Sequence, residues 1–245
     1  MRMVVAAARE IKDGEVVFVG MRLPLVAFAV AKATHAPNAT GLYENGVIRE
    51  APAEELIYTM ADGPNLTRAT ALGDMLSVMG PLAAGKVDVG FLGAAQIDKY
   101  GNLNSTRVTG EKGTVRLPGS GGACDIACMA HRVVTLMKHD RTRLVERVDY
   151  IASPGWGDGP GWRNAVGLLC GGPSALITTR GVIRFDAPDR IGYLEAYHPG
   201  EKIGTIKAQT GWKLPVAKDC RATKDPTQAE MAAIERYDPE GFWTG

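Results

Sequence analysis

Three runs of mostly apolar, β-branched residues limit the fold most strongly: Val16-Val17-Phe18-Val19, Val87-Asp88-Val89-Gly90-Phe91-Leu92 and Val133-Val134-Thr135-Leu136-Met137. Near-continuous runs of this length suit strands buried on both faces, which belong to parallel sheets covered by helices. Helical stretches separate them. Gly20 and Pro24 open a helix over 25–33, and Pro37 ends it by biasing Ala36 toward extended geometry before a short strand leads into Leu42 and Tyr43. A second cycle predicts a helix over 67–79, the strand at 87–92, and a long glycine-bearing loop through Asn104. A third opens with Gly119-Ser120-Gly121-Gly122-Ala123, continues as a helix over 125–130, and yields strands at 133–137 and 148–152.

Beyond Pro154 the pattern changes. Apolar runs at 174–178 and 182–185 flank Thr179-Arg180-Gly181 as a hairpin, 193–197 adds a third antiparallel strand, and the tail from Asp225 reads as a surface helix. The expectation is an α/β fold: an open, mainly parallel sheet flanked by helices, with antiparallel C-terminal strands. At 245 residues and 45% apolar composition, residues 1–245 are expected to form one domain.

Lys+Arg 28 against Asp+Glu 27 gives no polyelectrolyte field that would hold nucleic acid or an anionic membrane, so an anionic ligand needs local groups. No uncharged segment approaches the ~20 residues of a membrane helix, and the first ten residues read as a helix of the folded protein. A cytoplasmic location is the expectation. Cys124, Cys128, Cys170 and Cys220 lack paired spacing and read as thiols; Cys124, Cys128 and His131 make too sparse a set for a metal, and none is expected. Histidines 35, 131, 139 and 198 are dispersed, without ligand spacing.

Three loops fall where open α/β sheets bind ligands, at the carboxyl ends of strands: 43–46, 93–105 and 119–125. Glu44 sits at a strand end before Asn45-Gly46, a pattern that also describes a plain turn with a solvated carboxylate. Gln96, Asn102 and Asn104 carry short amides suited either to orienting a substrate or to turn chemistry. Trp156 and Trp162 flank a glycine-rich loop as pocket walls or as structural aromatics, and Arg22 is either an anion-binding cation or an exposed helix-entry residue.

The combination is more specific than any of its parts. Gly20-Met21-Arg22-Leu23-Pro24-Leu25, Tyr43-Glu44-Asn45-Gly46, the stretch from Phe91 to Ser105, Pro118-Gly119-Ser120-Gly121-Gly122-Ala123, and Ser153-Pro154-Gly155-Trp156-Gly157-Asp158-Gly159-Pro160-Gly161 occur in this order. With them the chain resembles the β subunits of class I CoA-transferases, the glutaconate CoA-transferase branch above all. The resemblance implies the NagB/RpiA-like form of the α/β fold, transfer of CoA from an acyl-CoA to a free carboxylic acid, and an α subunit as obligatory partner.

It also implies that Glu44 is the nucleophile of a ping-pong reaction through a glutamyl-CoA thioester. Gly121, Gly122 and Ala123 are then the loop that supports the oxyanion. CoA is substrate and covalent intermediate, with no tightly bound cofactor. Two rivals share the scaffold. CoA-ester ring-opening hydrolases and a decarboxylase belong to related subfamilies that lack the glutamate, and a non-catalytic subunit that only binds acyl-CoA would need neither Glu44 nor the glycine loop.

Overall fold

A computed structural model describes residues 1–110, 113–168 and 171–245; Cys170, expected as a thiol, lies outside them. The backbone divides into two compact units, one made of Met1–Phe91 with Asp225–Gly245 and the other of Leu92–Lys224. Among the described residues no helix is long and apolar enough to cross a membrane.

The first unit contains α1 (Arg2–Ala8), β1 (Val16–Phe18), α2 (Leu23–Thr34), β2 (Thr40–Leu42), β3 (Val47–Arg49), α3 (Gly63–Leu66), β4 (Ala71–Leu72), α4 (Met75–Ala83) and β5 (Val89–Leu92). Its strands run in the order β5-β1-β2-β3-β4. The buried run expected at the start of the chain is the middle of this sheet: β1 pairs in parallel with both β2 and β5, so apolar residues are needed on both of its faces. Pro24 stands in the first turn of α2, whose residues from Pro24 to Ala31 are all buried. Gly20 is demanded by close approach, since a β-carbon there would lie 2.7 Å from the Phe91 carbonyl oxygen.

The C-terminal helix, Gln228–Tyr237, packs on α2 and opens with a capping box between Thr227 and Glu230. Arg9 grips the same Glu230 with two bonds, Nε to Oε1 and Nη2 to Oε2, each 2.8 Å. Burial raises the Glu230 carboxyl, but the bonds from Arg9 and Thr227 outweigh it and hold the group below its ordinary value.

The second unit contains β6 (Gln96–Ile97), β7 (Leu103–Asn104), β8 (Arg107–Gly110), β9 (Gly113–Arg116), α5 (Ala123–Met129), β10 (Arg132–Met137), α6 (Trp162–Ala165), β11 (Pro173–Thr178), β12 (Gly181–Arg184), β13 (Tyr193–Tyr197), α7 (Ile203–Ala208) and β14 (Val216–Ala222). Its larger sheet has the order β14-β13-β12-β11-β10. β10 and β11 pair in parallel, and β11-β12-β13 form the expected antiparallel meander. Thr178 closes the hairpin, its hydroxyl accepting from Arg180 N and Gly181 N at 3.1 and 3.0 Å. His139 bridges the hydroxyls of Thr178 and Thr210 at 3.0 Å each, and His198 Nε2 meets Thr178 O at 3.0 Å. Both are satisfied core histidines.

Two expected elements differ. In place of a helix over 67–79, residues 71–72 form the edge strand β4 on β3, and α4 begins only at Met75. The cause is tertiary. Gly73 N donates to Gly46 O at 3.0 Å, which fixes the chain in extended form, and Asp74 then caps the helix by accepting from Ser77 N at 3.0 Å. Residues 148–152 form no strand despite their β-branched character. Their polar groups are taken one at a time: Asp149 N donates to Gln96 Oε1 and Ala152 N to Leu103 O.

Candidate active site

Glu44 is carried on a hairpin that begins where β2 ends. Tyr43 N donates to Val47 O and Gly46 N to Tyr43 O, both at 2.9 Å, which leaves Glu44 and Asn45 at the tip. Gly46 has φ +96°, and a β-carbon there would lie 2.4 Å from Gly73 O, so the turn accepts glycine for both reasons. Beneath the tip, Tyr43 is buried edge-on against Phe28 with ring centroids 6.4 Å apart, and burial drives its hydroxyl far above the ordinary tyrosine value. Asn45 Nδ2 donates to Met60 O at 2.7 Å. Glu44 itself is half-buried and Asn45 exposed. A rigid stem therefore ends in one partly accessible carboxylate.

Arg49, which carried no signal in the sequence, secures the segment around this hairpin. It is buried, and its guanidinium donates to the carbonyls of Ala51, Pro52, Pro64, Asn65 and Thr67 at 2.7 to 3.3 Å. Arg22, at the entrance to α2, has φ 70° and lies 5.7 Å over the Trp243 ring. Trp243 Nε1 donates to Ile57 O at 2.9 Å, so the 57–60 segment is held from the Trp243 side and from Asn45.

In the second unit, Gly119 N donates to Ser105 O at 2.8 Å, so the glycine loop leaves from the end of the loop that holds the three amides. Gly119 and Gly121 have φ +101° and +51°. Ala123 N already donates to Ser120 O at 3.0 Å, whereas the exposed Gly121 amide donates to none of the described residues. Within α5, burial pushes the Cys128 thiol up to about 11, and the neighbouring Cys124 thiol adds to it.

The structure joins Gln96 to Asn104 and ties Asn102 elsewhere. Asn104 Nδ2 donates to Gln96 Oε1 and Arg107 O at 2.7 Å, while Gln96 Nε2 donates to Asp149 Oδ2 at 3.2 Å. Asn102 donates to both Asp98 oxygens and to Gly157 O, and its own oxygen accepts from Gly155 N and Gly157 N at 2.9 and 3.1 Å. All three amides are buried. Their bonding capacity is spent inside the chain, as turn chemistry predicts.

Trp156 and Trp162 fold against their own loop. Arg190 lies 4.1 Å over the Trp156 ring, and a β-carbon on Gly157 would fall 1.9 Å from Trp162. Trp156, Arg163 and Arg190 border a cavity of about 320 Å³. Arg163 Nη2 donates to Ala127 O and Cys128 O, so the cavity stands at the C-terminal end of α5 and the glycine loop at the other.

With this geometry in view, comparison with known proteins is informative. The coenzyme A transferase family matches residues 1–209. The B subunit of 3-oxoadipate CoA-transferase from Pseudomonas knackmussii is 37% identical over 241 residues, covering 96% of this chain and 91% of that one. The B subunit of glutaconate CoA-transferase from Acidaminococcus fermentans is 34% identical over 243 residues, covering 96% and 90%. The crystal structure of glutaconate CoA-transferase from the same organism superposes with a TM-score of 0.90 at 31% identity, covering 99% of this chain and 95% of that one. The decarboxylase AibA/AibB gives a TM-score of 0.84 at 28% identity, covering 98% and 94%. The chain belongs to the coenzyme A transferase family, and its likeness is to the B subunits of that family.

Proposed function

We propose that this chain is the β subunit of a heteromeric CoA-transferase and that Glu44 carries CoA between an acyl-CoA and a free carboxylic acid. The observation that carries the reading is Glu44 itself, a partly accessible carboxylate on a turn pinned by Gly46 at the carboxyl end of β2. A carboxylate oxygen of Glu44 attacks the thioester carbonyl, forming a mixed anhydride and releasing CoA thiolate. The thiolate attacks the Glu44 carbonyl, the acyl carboxylate leaves, and glutamyl-CoA remains. The acceptor carboxylate then attacks glutamyl-CoA, and the released thiolate cleaves the new anhydride at the acceptor carbonyl, which frees Glu44.

Each addition develops an oxyanion. The Gly121 to Ala123 loop is its support in this reading, with the Gly121 amide as the donor because Ala123 N is engaged by Ser120 O. A donor of this kind is worth about 3 to 4 kcal/mol. Gln96, Asn102 and Asn104 shape the adjoining loop through its internal bonds. The two relatives of the B type are parts of two-subunit enzymes by name, and an α subunit completes the site here.

The test is to coexpress the chain with its α partner, add acyl-CoA without acceptor, and measure intact mass. A CoA adduct on Glu44 is expected. A competent complex without the adduct, or a Glu44→Ala variant that transfers CoA at full rate, would sink the reading. Acceptor-independent release of free acid or of carbon dioxide would favour the hydrolase or decarboxylase alternative, and CoA binding without turnover the scaffold.

A further inference from the structure

The exposed ribbon β8–β9 presents an unusual pair. Arg107 and Arg116 are directly opposed partners, so their side chains share one face. That face continues with Thr109 and Thr114, whose hydroxyls meet at 3.2 Å, while Val108 and Val115 take the other face. Directly opposed like charges destabilise a strand pair, and a lone two-stranded ribbon is marginal in water. No carboxylate among the described residues relieves the pair. Arg107 lies instead 5.2 Å over the exposed ring of Tyr150. The adjacent Asp149 is committed elsewhere, its Oδ2 accepting from Thr109 N at 2.8 Å and from Gln96 Nε2 at 3.2 Å. Two guanidiniums and two hydroxyls on one accessible face are the donors an anion with several oxygens requires.

The root of the ribbon is continuous with the glycine loop. Leu117 N donates to Thr106 O at 2.9 Å, and Gly119 N to Ser105 O at 2.8 Å. Five residues lead from Arg116 to Gly121, a path of at most about 17 Å. In CoA the thiol and the phosphates lie at opposite ends of the extended pantetheine arm. A phosphate site must therefore stand well apart from the loop that receives the thioester.

We infer that Arg107 and Arg116 form a clamp for the phosphates of CoA, on the ribbon that leads into the Gly119 to Ala123 loop. The inference rests on the CoA-transfer reading for its ligand. The 3′-phosphate and the pyrophosphate present the same chemistry, and the assay separates them.

The experiment uses the α/β complex and measures binding of CoA, dephospho-CoA and pantetheine by calorimetry, beside acyl-CoA turnover. Arg107→Gln and Arg116→Gln are expected to weaken CoA binding about tenfold each and to raise KM with kcat little changed. In the double variant the wild-type preference for CoA over pantetheine collapses. A preference for CoA over dephospho-CoA that is lost in the variants assigns the clamp to the 3′-phosphate; equal loss for both assigns it to the pyrophosphate. Arg116→Lys retains part of the binding, which a folding defect would not permit.

Unchanged CoA affinity in the double variant overturns the clamp, as does equal weakening of CoA and pantetheine. Loss of the α subunit from the purified complex also overturns it and makes the ribbon a docking surface. If the wild-type complex binds CoA through the pair yet transfers nothing, the transfer reading fails and the clamp stands. If it transfers CoA while the variants bind normally, the clamp fails alone.

Discussion

The Gly46 carbonyl accepts the Gly73 amide at 3.0 Å, so the turn bearing Glu44 is locked to the residue before the α4 cap. A side chain at position 46 meets this contact head-on. Gly46→Ala adds both a left-handed strain and a clash with Gly73 O, and is expected to cost at least about 2 kcal/mol. Urea denaturation measures the loss, and faster amide exchange at 43–47 and 73–77 locates it. Wild-type stability would show that the two backbones part easily and that the turn is not locked.

The length of the Glu44 arm is the second expectation. Glu44→Asp retracts the carboxylate by one methylene on an unmoved hairpin, and CoA transfer should fall about 100-fold or more. Steady-state rates with the α subunit present check this. Retention of most of the activity would mean that the nucleophile's position is not critical.

Asn102 is the third. Its loss strands the Gly155 and Gly157 amides and removes a donor to both oxygens of Asp98, whose carboxyl burial already pushes upward. Asn102→Ala is expected to destabilise the chain by roughly 3 kcal/mol. Asn102→Asp should be worse, because it sets a second carboxylate against Asp98. Chemical denaturation of both variants is the measurement, and a cost under about 1 kcal/mol for either would contradict the structural role.

His139 sets an acid limit. Burial lowers it from 6.5 to about 4, so between those values the unfolded chain takes up a proton that the folded chain refuses. Its contribution is fully present above about pH 6.5 and is lost as pH falls toward about 4, by roughly 3 kcal/mol. His139→Gln should flatten that part of the stability profile. Urea midpoints across the window, compared with wild type, decide it; parallel profiles would place the acid sensitivity elsewhere.

What local chemistry could reveal, it did. The strand ending at Leu42 and the turn at Asn45-Gly46 are neighbours in sequence, so the position of Glu44 was legible without the fold. The same holds for Pro24 opening α2 and for the hairpin at Thr178 to Gly181. The start of α4 was not, because the contact that delays it joins Gly73 to Gly46, 27 residues earlier in the chain. Residues 148–152 have the composition of a strand, yet Gln96 and Leu103 claim their amides first. Asn102 left two readings open because its decisive partners, Gly155 and Gly157, lie more than 50 residues on. Arg49 gave no sign, since one arginine after two β-branched residues looks the same whether it faces water or five carbonyls.

Those five carbonyls belong to the main chain, and main-chain oxygens are the same whatever side chain follows them. Arg49 therefore holds residues 51–67 in place without reading their sequence. A lysine there offers three donors in place of five and no planar fork, so this position resists exchange while the segment it anchors does not. Beside the Glu44 turn lies a stretch of chain that mutation can rewrite without dismantling, which is where a new preference among acids would be cheapest to evolve.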